Sequence, residues 1–327
     1  MSTSLTDKYG RNIEYLRLSV TDRCDLRCHY CMPEGFKDFG EPEDWLTFDE
    51  IERVIRVFGE LGTKRIRITG GEPLVRKNLP TLAGRLSALA GIEDLSLSTN
   101  ATRLQKHAAA LQQAGISRIN VSLDTLHADR FKEITGGKIE KVIDGLMAAK
   151  EAGFHPIKIN MVVMRGINDD EVEEMVKFCI ENDFTLRFIE TMPMGDTGRT
   201  ASQQYIPLNE IYERLEKKYT LVNARMNGGG PARYVRVEGT ELRIGFITPM
   251  SQHFCETCNR VRLSVDGTLY LCLGQEDSYP LRKHLRAGIS DDELKQHIYN
   301  AINIKPEKHE FSNKPEKLVR FMSMTGG

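Results

Sequence analysis

Between residues 14 and 191 the chain alternates short runs of strand-like period with longer stretches of helical period. The runs are EYLRLSV, RIRIT, DLSLST, RINVSL, IKINMVV and TLRFIET. A period of two places successive side chains on opposite faces of a strand, and the intervening segments are long enough for helices. One helix start is explicit, because Thr47 and Glu50 in TFDE are spaced as a capping box ahead of Ile51, Val54, Ile55 and Phe58. Such βα repetition predicts parallel strands under a layer of helices. Ile66, Ile68, Leu95, Leu97, Ile119, Val121 and Leu123 would face that layer.

The opposite face is polar. It gathers Arg17 and Ser19, then Arg65, Arg67 and Thr69, then Ser96, Ser98 and Asn100, then Asn120, Ser122 and Asp124, with Lys158, Asn160 and Arg187 on the last two runs. An antiparallel sheet with one wet face would alternate in the same way. Hairpin-length loops are missing between these runs, which favours the parallel arrangement. A closed barrel fills its interior with aliphatic side chains, so this pattern predicts an α/β fold of another kind. The expectation is an incomplete (βα)6 TIM-like barrel whose polar lumen receives a charged ligand at the carboxyl ends of the strands. The length of 327 residues suggests two parts, a barrel over 1–204 and a C-terminal extension over 205–327.

Composition removes several classes. Lysine and arginine number 45 against 46 aspartate and glutamate, leaving no overall field for nucleic acid or an anionic membrane. The opening MSTSLTDKYGRN lacks a signal-peptide core, and no apolar run approaches bilayer length, so a cytoplasmic protein is expected. The seven cysteines are few and grouped, which in a reducing compartment points to metal rather than disulfides.

The first group, RCDLRCHYC, spaces Cys24, Cys28 and Cys31 as Cys-x3-Cys-x2-Cys. A four-iron cluster ordinarily takes four thiolates, so three leave one iron open. Zinc completed by His29 is the alternative, although three cysteines within eight residues suit a cluster better than separated zinc-ribbon pairs. The second group, HFCETCNRVRLSVDGTLYLCL, holds Cys255, Cys258 and Cys272 with a DGT turn before the third. A zinc knuckle completed by His253 competes here. Arg260 and Arg262 beside the pair are suited to phosphate or carboxylate, which favours a cluster at a substrate site.

Cys24, Cys28 and Cys31, with Tyr30 before the last, resemble the signature of the radical S-adenosylmethionine enzymes, and Gly70, Gly71, Glu72 and Pro73 resemble that family's GGEP element. From Arg17 through FCETCNRVRL to the closing MSMTGG, the chain closely resembles the GTP 3′,8-cyclase family of molybdenum cofactor biosynthesis. The resemblance implies two 4Fe-4S clusters, one on each triad, with the C-terminal extension carrying the second. It implies S-adenosylmethionine at Tyr30, Gly71, Glu72, Ser122 and Met192, and GTP at Arg17, Arg67, Ser98, Lys158, Arg260 and Arg262. The reaction implied is hydrogen abstraction from ribose C3′ and attack on guanine C8, giving 3′,8-cyclo-7,8-dihydro-GTP. Gly326 and Gly327 would enter the barrel and act in the radical step. An electron donor and a downstream cyclic pyranopterin monophosphate synthase are implied partners, with a homodimer left open. Ser98 and Thr325 are mild departures from the family pattern.

Other features receive plainer readings. Cys179 in a helical run reads as a core thiol. YERLEKKYT reads as a solvated helix face, and Gly228–Gly230 as a loop without the lysine of a phosphate loop. The terminal glycines could also be a loose end or resemble a ubiquitin-like carrier tip. Two other functions stay open: a peptide-modifying radical enzyme, and a non-catalytic metal-binding regulatory module.

Overall fold

The computed structural model describes residues 4–33, 35–226, 228–311 and 315–326. The six expected strands form as β1 (Tyr15–Ser19), β2 (Arg65–Thr69), β3 (Asp94–Thr99), β4 (Arg118–Ser122), β5 (Ile157–Val163) and β6 (Thr185–Glu190). All neighbouring pairs from β1 to β6 are parallel. Helices return the chain between them. Phe48–Glu60 is started by the Thr47–Glu50 capping box, with Glu50 N–H donating to Thr47 Oγ1 at 3.1 Å and Thr47 N–H donating to Glu50 Oε2 at 2.8 Å. Its apolar side, Ile51, Val54, Ile55 and Phe58, is fully buried. Each such side chain contributes about 1.5–3 kcal/mol of burial free energy, so the helix-to-sheet layer dominates the core.

Beyond the six strands the chain adds β7 (Leu221–Ala224), β8 (Arg233–Val237), β9 (Arg243–Ile247), β10 (Arg260–Leu263), β11 (Thr268–Tyr270) and β12 (Ser278–Pro280). The sheet order is β12-β11-β10-β1-β2-β3-β4-β5-β6-β9-β8-β7. The late strands therefore extend both edges: β10 lies parallel to β1, and β9 lies parallel to β6. The two end strands do not pair with one another among the described residues, so the barrel stays open. The DGT turn at Gly267 joins antiparallel β10 and β11 with a positive φ of 79°. No helix among the described residues is long and apolar enough to cross a membrane.

Register fixes the chemistry of the inner face. Arg262, Arg17, Arg67 and Ser96 lie side by side across β10, β1, β2 and β3. Asn120 stands beside Lys158, and Ser122 stands beside Asn160, which in turn neighbours Arg187.

Candidate functional site

Two cavities open on this face, and Asn160, Ile189 and Met192 belong to the walls of both. Cys24, Cys28 and Cys31 wall the first, together with Tyr30, Gly71, Ser98 and Ser122. The thiols sit in a tight turn, where Cys31 N–H donates to the Cys28 carbonyl at 2.9 Å. Burial pushes the Cys24 and Cys31 thiols up to about 12, with Glu72 adding to the effect at Cys24. Without a metal these groups are neutral, and a bound cation is what would deprotonate them.

The loop after β2 is shaped by the segment that leads into this triad. Gly71 N–H donates to the Thr21 carbonyl at 2.9 Å and Glu72 N–H to the Arg23 carbonyl at 2.8 Å. A Cβ on Gly70 would lie 2.4 Å from the Thr21 oxygen, and one on Gly71 would lie 2.4 Å from the Arg23 oxygen. The glycines are thus demanded by the chain's own backbone, independently of any ligand. Glu72 walls neither cavity. Its carboxylate accepts from Thr99 Oγ1 at 2.7 Å, Asn100 N–H at 2.7 Å and Leu74 N–H at 3.0 Å, and burial pushes it up to about 7. It clamps the ends of β2 and β3 together. Tyr30 donates to Asp124 Oδ2 at 2.7 Å, tying the triad to the end of β4.

Cys255, Cys258 and Cys272 wall the second cavity with Arg17, Arg67, Arg260, Arg262 and Arg187, the last expected on the polar face but not among the GTP contacts. Arg17 is pushed well below the usual arginine range by burial and by Arg262 and Arg67 beside it. Arg262 falls to about 10 through burial and Arg260. Arg17 Nε and Nη2, Arg260 Nε and Arg262 Nε are buried without a protein acceptor among the described residues. Leaving several buried cationic donors uncompensated is costly, and an oligoanion accepting from all of them removes that cost. The site therefore fits a triphosphate, and the two sets of three thiols fit open-iron clusters.

Three buried cations from remote segments brace the second triad. Arg11 donates to the Cys255 carbonyl at 2.9 Å, and Arg320 to the Cys272 carbonyl at 2.8 Å. Lys305 Nζ donates to the Arg260 carbonyl at 3.2 Å and the Leu271 carbonyl at 2.5 Å, with Cys258 Sγ at 3.9 Å. Burial alone would raise the Cys258 thiol, yet Lys305 and Arg260 hold it below the usual cysteine range. Lys305 and Arg320 have no local sequence signal, because their partners lie far away in the chain, whereas Arg11 also pairs with Asp7, four residues before it, at 2.6 Å.

The remaining expected residues sit as follows. Ser98 walls the first cavity rather than the one holding the arginines. Lys158 walls neither; it is buried, with Nζ 5.9 Å from the centre of the Tyr234 ring. Gly326 packs on Thr69, a residue of the first cavity's wall, and Gly327 lies outside the described residues. Cys179 is buried in the core as expected. The glycine loop gains a part that its sequence did not suggest: Gly230 walls the second cavity, and the Gly229 carbonyl accepts from Arg260 at 3.2 Å.

Comparison with known proteins bears on the same two segments. Residues 18–179 match the Radical SAM superfamily, and residues 184–311 match Molybdenum Cofactor Synthesis C. A protein of Hydrogenovibrio crunogenus named GTP 3′,8-cyclase is 48% identical over 99% of this chain and 100% of its own length. One of Rhizobium etli with the same name is 47% identical over 99% of this chain and 94% of its own. Among solved structures, Streptococcus suis SuiB bound to S-adenosylmethionine shares the fold at a TM-score of 0.60 and 18% identity, over 89% of this chain and 65% of that one. With relatives this similar along its whole length, the chain belongs to the GTP 3′,8-cyclase family of the radical SAM superfamily.

Proposed function

We propose that the protein converts GTP to 3′,8-cyclo-7,8-dihydro-GTP, the first step of molybdenum cofactor biosynthesis. The observation that carries this is the pair of adjoining cavities, each walled by three cysteines, with unpartnered arginine donors in one of them. Cys24, Cys28 and Cys31 would hold one 4Fe-4S cluster, and Cys255, Cys258 and Cys272 the other. S-adenosylmethionine would lie along Tyr30, Gly71, Ser122 and Met192, with Glu72 holding the loop in place. When bound, the first cluster and S-adenosylmethionine supply the 5′-deoxyadenosyl radical that takes hydrogen from ribose C3′, so that C3′ can join guanine C8.

The chain's own residues bind, orient and enclose. Arg17, Arg67, Arg260 and Arg262 would take the triphosphate through charge-assisted bonds, which accounts for so many cations around one cavity. Lys158 lies buried beside Asn120 on the same face, and Ser98 lines the adenosyl cavity. Asn160, Ile189 and Met192, common to both walls, would keep the ribose between the two compartments. Gly326 and Gly327 would complete the radical site from the tail. Residues 1–204 and 205–327 would serve as the radical-generating and substrate-holding parts. The partners in this reading are an electron donor and a cyclic pyranopterin monophosphate synthase downstream, with a homodimer left open. A cytoplasmic setting keeps the free thiols reduced.

The test is anaerobic reconstitution with iron and sulfide, followed by reaction with GTP, S-adenosylmethionine and dithionite. About eight irons per chain and matched yields of 5′-deoxyadenosine and cyclised product are expected. A chain holding one zinc and about four irons, or cleaving S-adenosylmethionine without consuming GTP, would contradict the assignment.

A further inference from the structure

Cys24 belongs to two walls. Besides the inner cavity it lines a cleft on the outer side of its loop, which Cys28 and Cys31 do not. This cleft brings together Arg23, Arg27, Lys37 and Arg103 with the rings of Phe36 and Phe39. Arg23 and Arg27 sit 6.0 and 5.7 Å from the centre of the Phe39 ring. Arg27 also donates to the Cys24 carbonyl at 2.7 Å, so the cationic wall and the thiol loop are one unit. Lys37 and Arg103 are exposed.

Asp25 and Glu41 are the carboxylates of the cleft, and Asp25 is already engaged by Arg103 at 3.0 Å, Asn100 at 2.9 Å and Thr102 at 2.9 Å. Asp38 is exposed beside Lys37 in sequence but does not line the cleft. Among the described residues, four cations against two carboxylates line the cleft, on a chain whose formal net charge is -1.

We propose that this cleft is the docking surface for the protein's electron donor, a small acidic one-electron carrier protein. The inference rests on the reading that Cys24, Cys28 and Cys31 hold a cluster. The carrier's reduced centre loses one electron and the cluster gains it; no bond forms or breaks, and no proton moves. Transfer needs the two centres to approach closely, and Cys24 is the cluster-binding residue that this outer cleft shares. Charge complementarity steers a short-lived encounter, while the two phenylalanine rings provide the apolar centre that such small interfaces use.

The experiment uses reconstituted holoenzyme and an acidic flavodoxin as the probe. Charge reversals Lys37→Glu and Arg103→Glu are made singly and together, with Lys217→Glu, exposed at the end of helix Leu208–Glu216, as a control. Affinity for oxidised flavodoxin is read by calorimetry. The rate of 5′-deoxyadenosine formation is then measured with flavodoxin hydroquinone and, separately, with dithionite. The double reversal should weaken both flavodoxin affinity and the flavodoxin-driven rate about tenfold or more, leaving the dithionite rate within about twofold. The difference should shrink as ionic strength rises to about 0.3 M, and Lys217→Glu should match the wild type. Wild-type affinity in the double variant, or an equal fall with both reductants, overturns the docking surface. Failure of the wild type to cleave S-adenosylmethionine with dithionite overturns the cluster assignment itself, and the docking inference with it.

Discussion

Arg320 donates to the Cys272 carbonyl at 2.8 Å, while Met322, two residues later, belongs to a small buried apolar cluster against which Cys31 packs. The last stretch of the chain therefore touches both cysteine triads. Arg320 also donates to the Leu273 carbonyl at 2.5 Å and Glu276 Oε2 at 2.8 Å, and its guanidinium lies 4.4 Å from the Tyr270 ring centre. Each charge-assisted bond contributes about 1.5–3 kcal/mol. Arg320→Gln should release the tail, lowering cyclised product about tenfold or more with iron content unchanged. Limited proteolysis with mass spectrometry checks the release: cleavage near residue 320 at the wild-type rate would refute the anchor.

Gly326 has a φ of 69°, and a Cβ there would lie 2.3 Å from the Thr69 side chain. Gly326→Ala should displace the tip and cut product formation sharply while both clusters and GTP affinity persist. Shortening the obstacle with Thr69→Ala in the same chain should restore part of the activity. No rescue in a single-turnover assay would mean that contact with Thr69 is not what excludes a side chain at 326.

The row Arg262, Arg17, Arg67 holds like charges at adjacent register positions. Arg17→Met removes one buried cation, so the ligand-free protein should gain on the order of 1 kcal/mol of stability, or roughly 2 °C in Tm. The same change should raise the Kd for GTP about tenfold or more, through one lost charge-assisted phosphate contact. Differential scanning fluorimetry with and without GTP reads both effects; a lower ligand-free Tm would show that Arg17 packs rather than repels.

Lys158 is pulled down to about 7, first by burial and then by Arg187, Arg118 and Arg67. Its folded value lies below the free value of 10.5, so between about 7 and 10.5 the unfolded chain binds more protons and stability rises with pH. GTP bound nearby brings compensating anions and should return the amine to its charged form. At pH 7 that is an uptake of roughly half a proton on binding, seen by calorimetry in buffers of different ionisation enthalpy. The uptake should vanish in Lys158→Met; if it persists there, another group carries it.

Lys305 donates to two carbonyls around the second triad and lies 3.9 Å from Cys258 Sγ. Lys305→Met keeps the volume and removes the charge. The second cluster should become harder to reduce, because a buried cation stabilises the more negative state, while the first is unaffected. Redox titration followed by electron paramagnetic resonance separates the two; an unshifted second cluster would leave Lys305 a structural group only.

The alternating runs, the capping box at Thr47 and both cysteine triads were legible because each is a local pattern. A strand's period, a helix cap and a thiolate spacing act over a few residues, and local sequence carries them. The polar inner face was legible for the same reason, since Arg17, Arg67 and Asn160 follow from strand period alone. What the tertiary structure decided is non-local. Strands β9 and β10 close on β6 and β1 across long stretches of chain, and that register, not any motif, sets Arg262 beside Arg17. Ser98 and Lys158 are expected on the inner face from strand period and at GTP from a resemblance; Ser98 lines the neighbouring cavity, and Lys158 is buried beside Asn120. Strand period says which face a side chain takes; only the twist of the packed sheet says which compartment it meets. The carbonyl contacts of Arg11, Lys305 and Arg320 were invisible in the sequence because a cation reaching for a backbone carbonyl leaves no pattern at the carbonyl's position. Asp7 and Glu276 compensate the charges of Arg11 and Arg320, and burial leaves their remaining donors, like those of Lys305, to carbonyls of distant segments.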